Sequence, residues 1–239
     1  MRKVDPTDLC LDLINEIIDM RKFYISAAEA LSDEAHADKQ LSLLSEIVFH
    51  QSYVMLESFI SAWFIGCINR DASVYLRFRE KSIRDSVGEK FDAKDNSWLS
   101  YSPPPHPDVN VLAKLLDKEE KNITFKTYAK MECRAKEWLS ITWSSKISSI
   151  ALDRQANINA AKAIRNCIAH RSQSSFREMN NVLQNLPNTD TSTLLRRNIN
   201  AVNNVGAYLK ALPLQQGKTR VEIFLDEFTQ FADSLKVVE

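Results

Sequence analysis

Apolar residues recur at every third or fourth position over residues 7 to about 35, at Leu9, Leu13, Ile17, Met20, Tyr24, Ala27 and Leu31. That spacing predicts one face of a helix, and Asp5, Pro6 and Thr7 supply its start signals. The next run, about residues 38–70, carries Leu41, Leu44, Ile47, Val48, Tyr53, Val54, Leu56, Phe59, Ile60, Trp63 and Phe64. It is apolar nearly all round toward its end, which predicts a central helix with Phe59, Trp63 and Phe64 in the core. Residues 73–91 interleave Val74, Leu76, Phe78, Ile83 and Val87 with Arg77, Arg79, Lys81 and Arg84, a helix with a basic outer side. Periodicity stops at residues 92–107, where four of the chain's seven prolines fall, and a loop or insertion is expected there. It returns over residues 109–121 and 124–141, the latter with Thr124 as a cap, and over about 145–170, where Ile147, Ile150, Ala151, Ile158, Ala161, Ile164, Cys167 and Ile168 form a stripe. Residues 172–190 read as a short helix and a loop. Residues 192–212 and 220–237 read as two last helices separated by the LPLQQGK turn.

Only 4 glycines occur in 239 residues, far too few turn formers for an all-β sandwich or barrel, so the expectation is an all-α protein. A single domain is expected, with a core over about 40–175, an insertion at about 92–108 and a C-terminal helical extension over about 191–239. The longest apolar stretch, residues 58–68, falls well short of the ~20 residues that span a bilayer, and Glu57 abuts it. The N-terminal MRKVDPTDLC lacks the apolar segment of a secretory signal. A cytoplasmic protein with no membrane association is therefore expected. Cys10, Cys67, Cys133 and Cys167 lie far apart with no CxxC pair and no Cys/His cluster at ligand spacing, so they read as small buried apolar residues and no metal site is expected.

Net charge is zero, but it is unevenly spread: residues 144–220 carry +8 and the remainder −8. A polyanion could bind such a segment although the neutral balance hides it; a solvated basic face is the plainer reading. The chain contains no GxxxxGK(S/T), GxGxxG, HExxH, DxDxDG or GxSxG pattern, and so no cofactor is expected. His50 and His106 read as a helix-flank and a loop residue.

One segment carries recognisable chemistry, Arg165-Asn166-Cys167-Ile168-Ala169-His170, followed by Arg171. A bare Arg-x4-6-His pattern arises by chance about 0.7 times in a chain of this make-up, and requiring Asn after the Arg lowers that to about 0.02. The plain reading of these residues is a helix end, where a cationic His favours the dipole and Asn tolerates left-handed geometry. The segment resembles the motif of the HEPN superfamily, α-helical domains that carry Arg-x4-6-His, commonly with Asn after the Arg. VMLESFISAW, residues 54–63, is similar to that family's long early helix with an acidic residue, here Glu57, in an apolar face. The resemblance covers about residues 40–175 and is closest to the ribonuclease-like branch.

The resemblance implies an up-and-down helical bundle with additional N- and C-terminal helices. It also implies a homodimer and metal-independent cleavage of RNA by 2′-OH attack that leaves a 2′,3′-cyclic phosphate. Such a nuclease would act as a toxin or anti-phage effector under an antitoxin or regulatory partner. His170 would act as base or acid, and Arg165 would hold phosphate oxygens. Asn166 would hold the His tautomer or the phosphate, and Glu57 would either contact Arg165 or sit at an exposed edge. Arg171, Arg154, Lys162 and Arg177 would bind RNA. On a regular helix Asn166 and His170 lie about 40° apart, but Arg165 and His170 about 140° apart. Either the helix loosens near His170, or the Arg side chain bends round, or Arg and His from two copies meet across a two-fold axis, as the resemblance implies. Two rivals compete: a non-catalytic HEPN-type dimerisation or scaffold module, and an unrelated helical protein that binds DNA and RNA alike without turnover.

Overall fold

The structure is a computed structural model that describes residues 3–89, 100–102, 104, 106–117, 122–213 and 217–237. The described residues form eleven helices and no strand, an all-α protein. They are α1 (Pro6–Leu31), α2 (Ala37–Arg70), α3 (Ser73–Gly88), α4 (Val109–Leu116), α5 (Tyr128–Trp138), α6 (Ile141–Ser148), α7 (Leu152–His170), α8 (Gln173–Gln184), α9 (Asp190–Leu195), α10 (Val205–Lys210) and α11 (Arg220–Ser234). None of these helices is long and apolar enough to cross a membrane. Most of the proline-rich segment, like residues 118–121, lies outside the described residues; Pro107 closes it by accepting a hydrogen bond from Asn69 Nδ2 at 3.0 Å.

Three boundaries differ from the expected ones, each through a polar side chain that competes with the helix. Thr127, not Thr124, caps α5, its hydroxyl accepting from the Lys130 N–H at 3.3 Å. The expected helix over 145–170 is two helices, because Ser149 donates to the Lys146 carbonyl at 3.0 Å and Ala151 is extended (φ −59°, ψ 145°). The expected helix over 192–212 is also two. Asn180 exchanges hydrogen bonds with the Val202 backbone at 2.6 and 3.0 Å, pinning an extended segment, and Asn204 then caps α10 by accepting from Ala207 N–H at 2.9 Å.

The chain divides into two compact units. The first comprises residues up to Leu9, Ile60–Ser149 and the residues from Leu235 onward; the second comprises Cys10–Phe59 and Ile150–Ser234. The first is built on an aromatic chain in which Trp63 meets Phe64 at 5.7 Å and Trp143 at 6.1 Å, and Trp138 meets Tyr75 at 5.8 Å. Tyr128 is buried there too, its hydroxyl donating to the Ile147 carbonyl at 2.6 Å. In the second unit Phe49, Tyr53, Phe224 and Phe228 cluster at ring separations of 5.1–6.4 Å, and α7 packs against α8, α9 and α11. Edge-to-face rings add to the area that such side chains remove from water. Of the cysteines, Cys10, Cys67 and Cys167 are buried as expected, whereas Cys133 is exposed on α5.

Candidate active site

The motif helix α7 holds its place in the second unit through a stripe of Asn157, Ile158, Ala161, Ile164 and Cys167, all buried. It stays regular through His170 and stops at Arg171, whose backbone is left-handed (φ 46°, ψ 28°) while its N–H still bonds to the Cys167 carbonyl at 2.9 Å. Ser172 follows at once as the cap of α8, in a capping box completed by Ser175. This corner leaves His170 exposed at the tip of the helix, and its imidazole has no hydrogen-bond partner among the described residues.

Arg165 is turned toward α2. Its Nη2 pairs with Glu57 Oε2, its Nη1 donates to Asn166 Oδ1 at 3.1 Å, and its guanidinium lies 5.8 Å from the Tyr53 ring centroid. Of the two positions expected for Glu57, the structure has the contact with Arg165, and the carboxylate is only 12% exposed. Asn166 therefore holds the guanidinium and makes no bond to His170. The helix does not loosen near His170, nor does Arg165 bend round to it, so neither of the within-chain routes between them is taken.

The polar seam that receives α7 is wider than expected. Glu46, His50, Tyr53 and Glu57 recur at helical spacing along α2 within about 60° of one face. Glu57 meets Arg165, and Glu46 accepts from Arg171 Nη2 at 2.7 Å, so the two helices run in opposite directions. Glu46 also accepts from the Gly206 N–H at 3.1 Å, tying α10 into the corner. Burial, then the Glu57 charge, pushes the Tyr53 phenol above its ordinary range, with Arg165 opposing. Burial pulls the half-buried Lys162 ammonium down, and Glu57 opposes this. Neither Tyr53 nor Glu46 stood out in the sequence, although the four-three-four spacing of polar residues in an otherwise apolar helix carries the signal.

The remaining basic residues of 144–220 are mostly engaged within the fold. Arg154 reaches Gln230, Ser234 (3.3 Å) and Glu227 (3.7 Å) on α11. Lys210 pairs with Asp38 and Lys218 with Asp226 at 2.8 Å. Arg196 donates to the Leu186 carbonyl, Arg197 to that of Asn180 (3.1 Å) and buried Arg220 to that of Leu194 (2.9 Å). Arg177 is exposed and, among the described residues, donates only to the Gln173 carbonyl, at 3.4 Å. Apart from Asp226, which lies only eight residues from Lys218, the acids that answer these cations are remote in sequence. The structure thus gathers Arg165, Asn166, Glu57 and Lys162, holds Arg171, nearly two turns further along, against Glu46, and places Arg154 and Arg177 elsewhere on the unit.

Beside the tip of α7 lies an apolar groove of about 780 Å³, lined by Met20, Phe23, Leu43, Ile47, Ile168 and Ala169, with Glu46, His50 and Arg171 at its edge. Phe23, Leu43 and Ile47 are each 56% exposed, a large apolar face to leave in water. Chemically, the arrangement offers a fixed guanidinium, a solvent-facing imidazole and an apolar face next to both. Comparison with protein-family models, curated proteins and solved structures yields no match for this chain.

Proposed function

We propose that the protein is a metal-independent endoribonuclease of HEPN type that works as a homodimer. The observation that carries the reading is the Arg165-Asn166…His170 motif at the exposed tip of a regular helix, with Arg165 locked by Glu57 and Asn166. His170 takes the proton from a ribose 2′-OH, whose oxygen attacks the adjacent phosphorus. Arg165 bears on the charge that develops at the phosphate oxygens, and the 5′-oxygen leaves with a proton from the second protomer's imidazole, giving a 2′,3′-cyclic phosphate. Within one protomer Arg165 and His170 diverge, and this supports a site assembled from two motifs. The exposed Phe23, Leu43 and Ile47 supply the apolar face that such a pair would bury. DNA, which lacks the 2′-OH, is left intact. A cytoplasmic toxin or anti-phage effector restrained by an antitoxin or other partner is the role that fits this chemistry. The fold assigned with it is the HEPN bundle.

The scaffold reading draws its support from the same ion pair: in Glu57 the guanidinium already has a resident anion. The test is incubation with mixed tRNA and mRNA in EDTA. Wild type should leave cyclic-phosphate ends, and His170→Ala and Arg165→Ala should not. Ile47→Asp should give monomers by light scattering and lose cleavage together with the pair. Cleavage that survives both motif substitutions would remove the motif from the mechanism. A folded dimer that never cleaves would favour the scaffold.

A further inference from the structure

Most of the cations of 144–220 are tied to partners, whereas two lysines of the first unit, outside that segment, face solvent without a carboxylate partner among the described residues. Lys126, just before α5, and Lys130, in its first turn, are exposed and have no acid partner among the described residues. Arg134 follows one turn on. Its guanidinium lies 4.8 Å over the Trp138 ring and 6.0 Å from Phe78 and donates to Glu137 at 2.8 Å, so it is held in place rather than free. These three cations border a pocket of about 320 Å³ whose lining also includes Ile123, Phe125 and Trp138, with Glu137 as its one acid among the described residues, already engaged by Arg134. Lys130, Cys133 and Arg134 share one helical face. Packed against α5 are α6, which carries Lys146, and α3, whose sixteen residues carry Arg77, Arg79, Lys81 and Arg84 against Glu80 and Asp85. The cationic field therefore extends beyond the pocket. A concave site with aromatic walls and a border of lysines suits a backbone phosphate with its nucleoside splayed beside it, which a rigid duplex cannot supply.

We propose that this pocket on α5 docks the phosphate backbone of single-stranded RNA, as a second contact surface apart in sequence from the motif helix. The choice of RNA rests on the ribonuclease reading, but the docking itself does not require cleavage. Two unpaired cations, Lys126 and Lys130, on a single strand predict that log affinity falls with log salt at a slope of about −1.4, or a loss of about 7-fold between 50 and 200 mM salt.

The probe is a fluorescein-labelled 2′-O-methyl oligouridylate of about twelve nucleotides, which lacks the attacking hydroxyl and cannot be cut by this route. Anisotropy with the full chain should show saturable, salt-sensitive binding. Lys126→Glu/Lys130→Glu should weaken it by about tenfold or more, while the equally charge-changing Lys39→Glu/Lys114→Glu, at exposed positions off the pocket, should leave it nearly unchanged. Circular dichroism checks that both variants are folded. Cys133 supplies a footprint, because it lines the pocket and the other three cysteines are buried. Its reaction with Ellman's reagent should slow once the oligonucleotide saturates the protein, and Cys133→Ser should abolish the fast-reacting thiol. The proposal is overturned by an absence of saturable binding, by unchanged affinity in the pocket variant, or by a Cys133 that reacts at full rate in the complex. Loss of cleavage in the EDTA assay with these binding results intact would remove the nuclease reading and leave the docking site standing.

Discussion

Truncating Glu57 to alanine strands the Arg165 guanidinium against a Tyr53 ring with only Asn166 to receive it. Removing one partner of a fully buried ion pair costs about 3–5 kcal/mol, whereas exposed pairs are worth about 0–1 kcal/mol. Here the carboxylate is 12% exposed and the guanidinium 26%, so water reaches one side of the pair. Glu57→Ala should accordingly cost about 2–3 kcal/mol, and Arg165→Ala, which orphans the more buried member, about 3 kcal/mol. Because each single change strands the other charge, the double variant should lose about 2 kcal/mol less than the sum of the singles. Urea unfolding followed by far-UV circular dichroism measures this cycle; tryptophan emission is the wrong probe, since Trp63, Trp138 and Trp143 belong to the other unit. A companion pair, Glu57→Leu with Arg165→Met, removes both charges at similar volume and should be far milder than either alanine variant. A coupling energy below about 0.5 kcal/mol would refute the argument, because it would mean that the guanidinium is hydrated well enough to need no counterion.

Other positions test the packing and electrostatics directly. A Cβ on Gly206 would stand 2.3 Å from the Ser42 carbonyl oxygen, so Gly206→Ala should cost about 2–3 kcal/mol in chemical denaturation, while Gly217→Ala, with nothing within 4 Å, should be near neutral. At left-handed Arg171, Gly should be more stable than Ala by about 1 kcal/mol; both variants lose the Glu46 ion pair, so the difference isolates backbone strain, and equal midpoints would contradict it. Burial is the main cause that raises the Glu227 carboxyl above its ordinary 4.5. The folded chain therefore binds that proton more tightly than the unfolded one, and stability falls as pH rises from about 4.5 upward. Melting temperatures of Glu227→Gln against wild type should shift in the variant's favour between pH 4 and pH 8, and a difference that is flat or opposite in sign would refute this.

The parts of the fold legible in the sequence are those where no polar side chain ends a long apolar period. Helices α1 and α2 lie within a few residues of their expected limits; the serines inside α2, Ser42 and Ser45, donate to the carbonyls four residues back, at Asp38 and Leu41, and the helix runs on through them. The segments over 145–170 and 192–212 look as periodic, but Ser149 and Asn180 hydrogen-bond the backbone and split them. A stripe of hydrophobic residues does not reveal such local competition. At the site, Arg165, Asn166 and His170 were legible as a motif, and Glu57 as an acid that needed a partner. What spacing could not supply was the direction of each side chain. Arg165 and Asn166 bond to each other although they are neighbours in sequence, and Glu46 meets Arg171 from 125 residues away. The basic segment illustrates the same limit, since counting charge along the chain says nothing of Asp38, Glu46, Glu57, Asp226 and Glu227 arriving from other helices.

That neutralisation exists only in the native state. Unfolded, the 77 residues from Ser144 to Arg220 are a free segment of +8, detached from the carboxylates that cover it once folded. Any polyanion present would bind the unfolded chain more strongly than the covered segment and, by mass action, hold it there. Nucleic acid carried through purification should therefore lower the apparent melting temperature and slow refolding. Moderate salt, which screens surface charges and loosens polyanion contacts, should speed the return to the native fold.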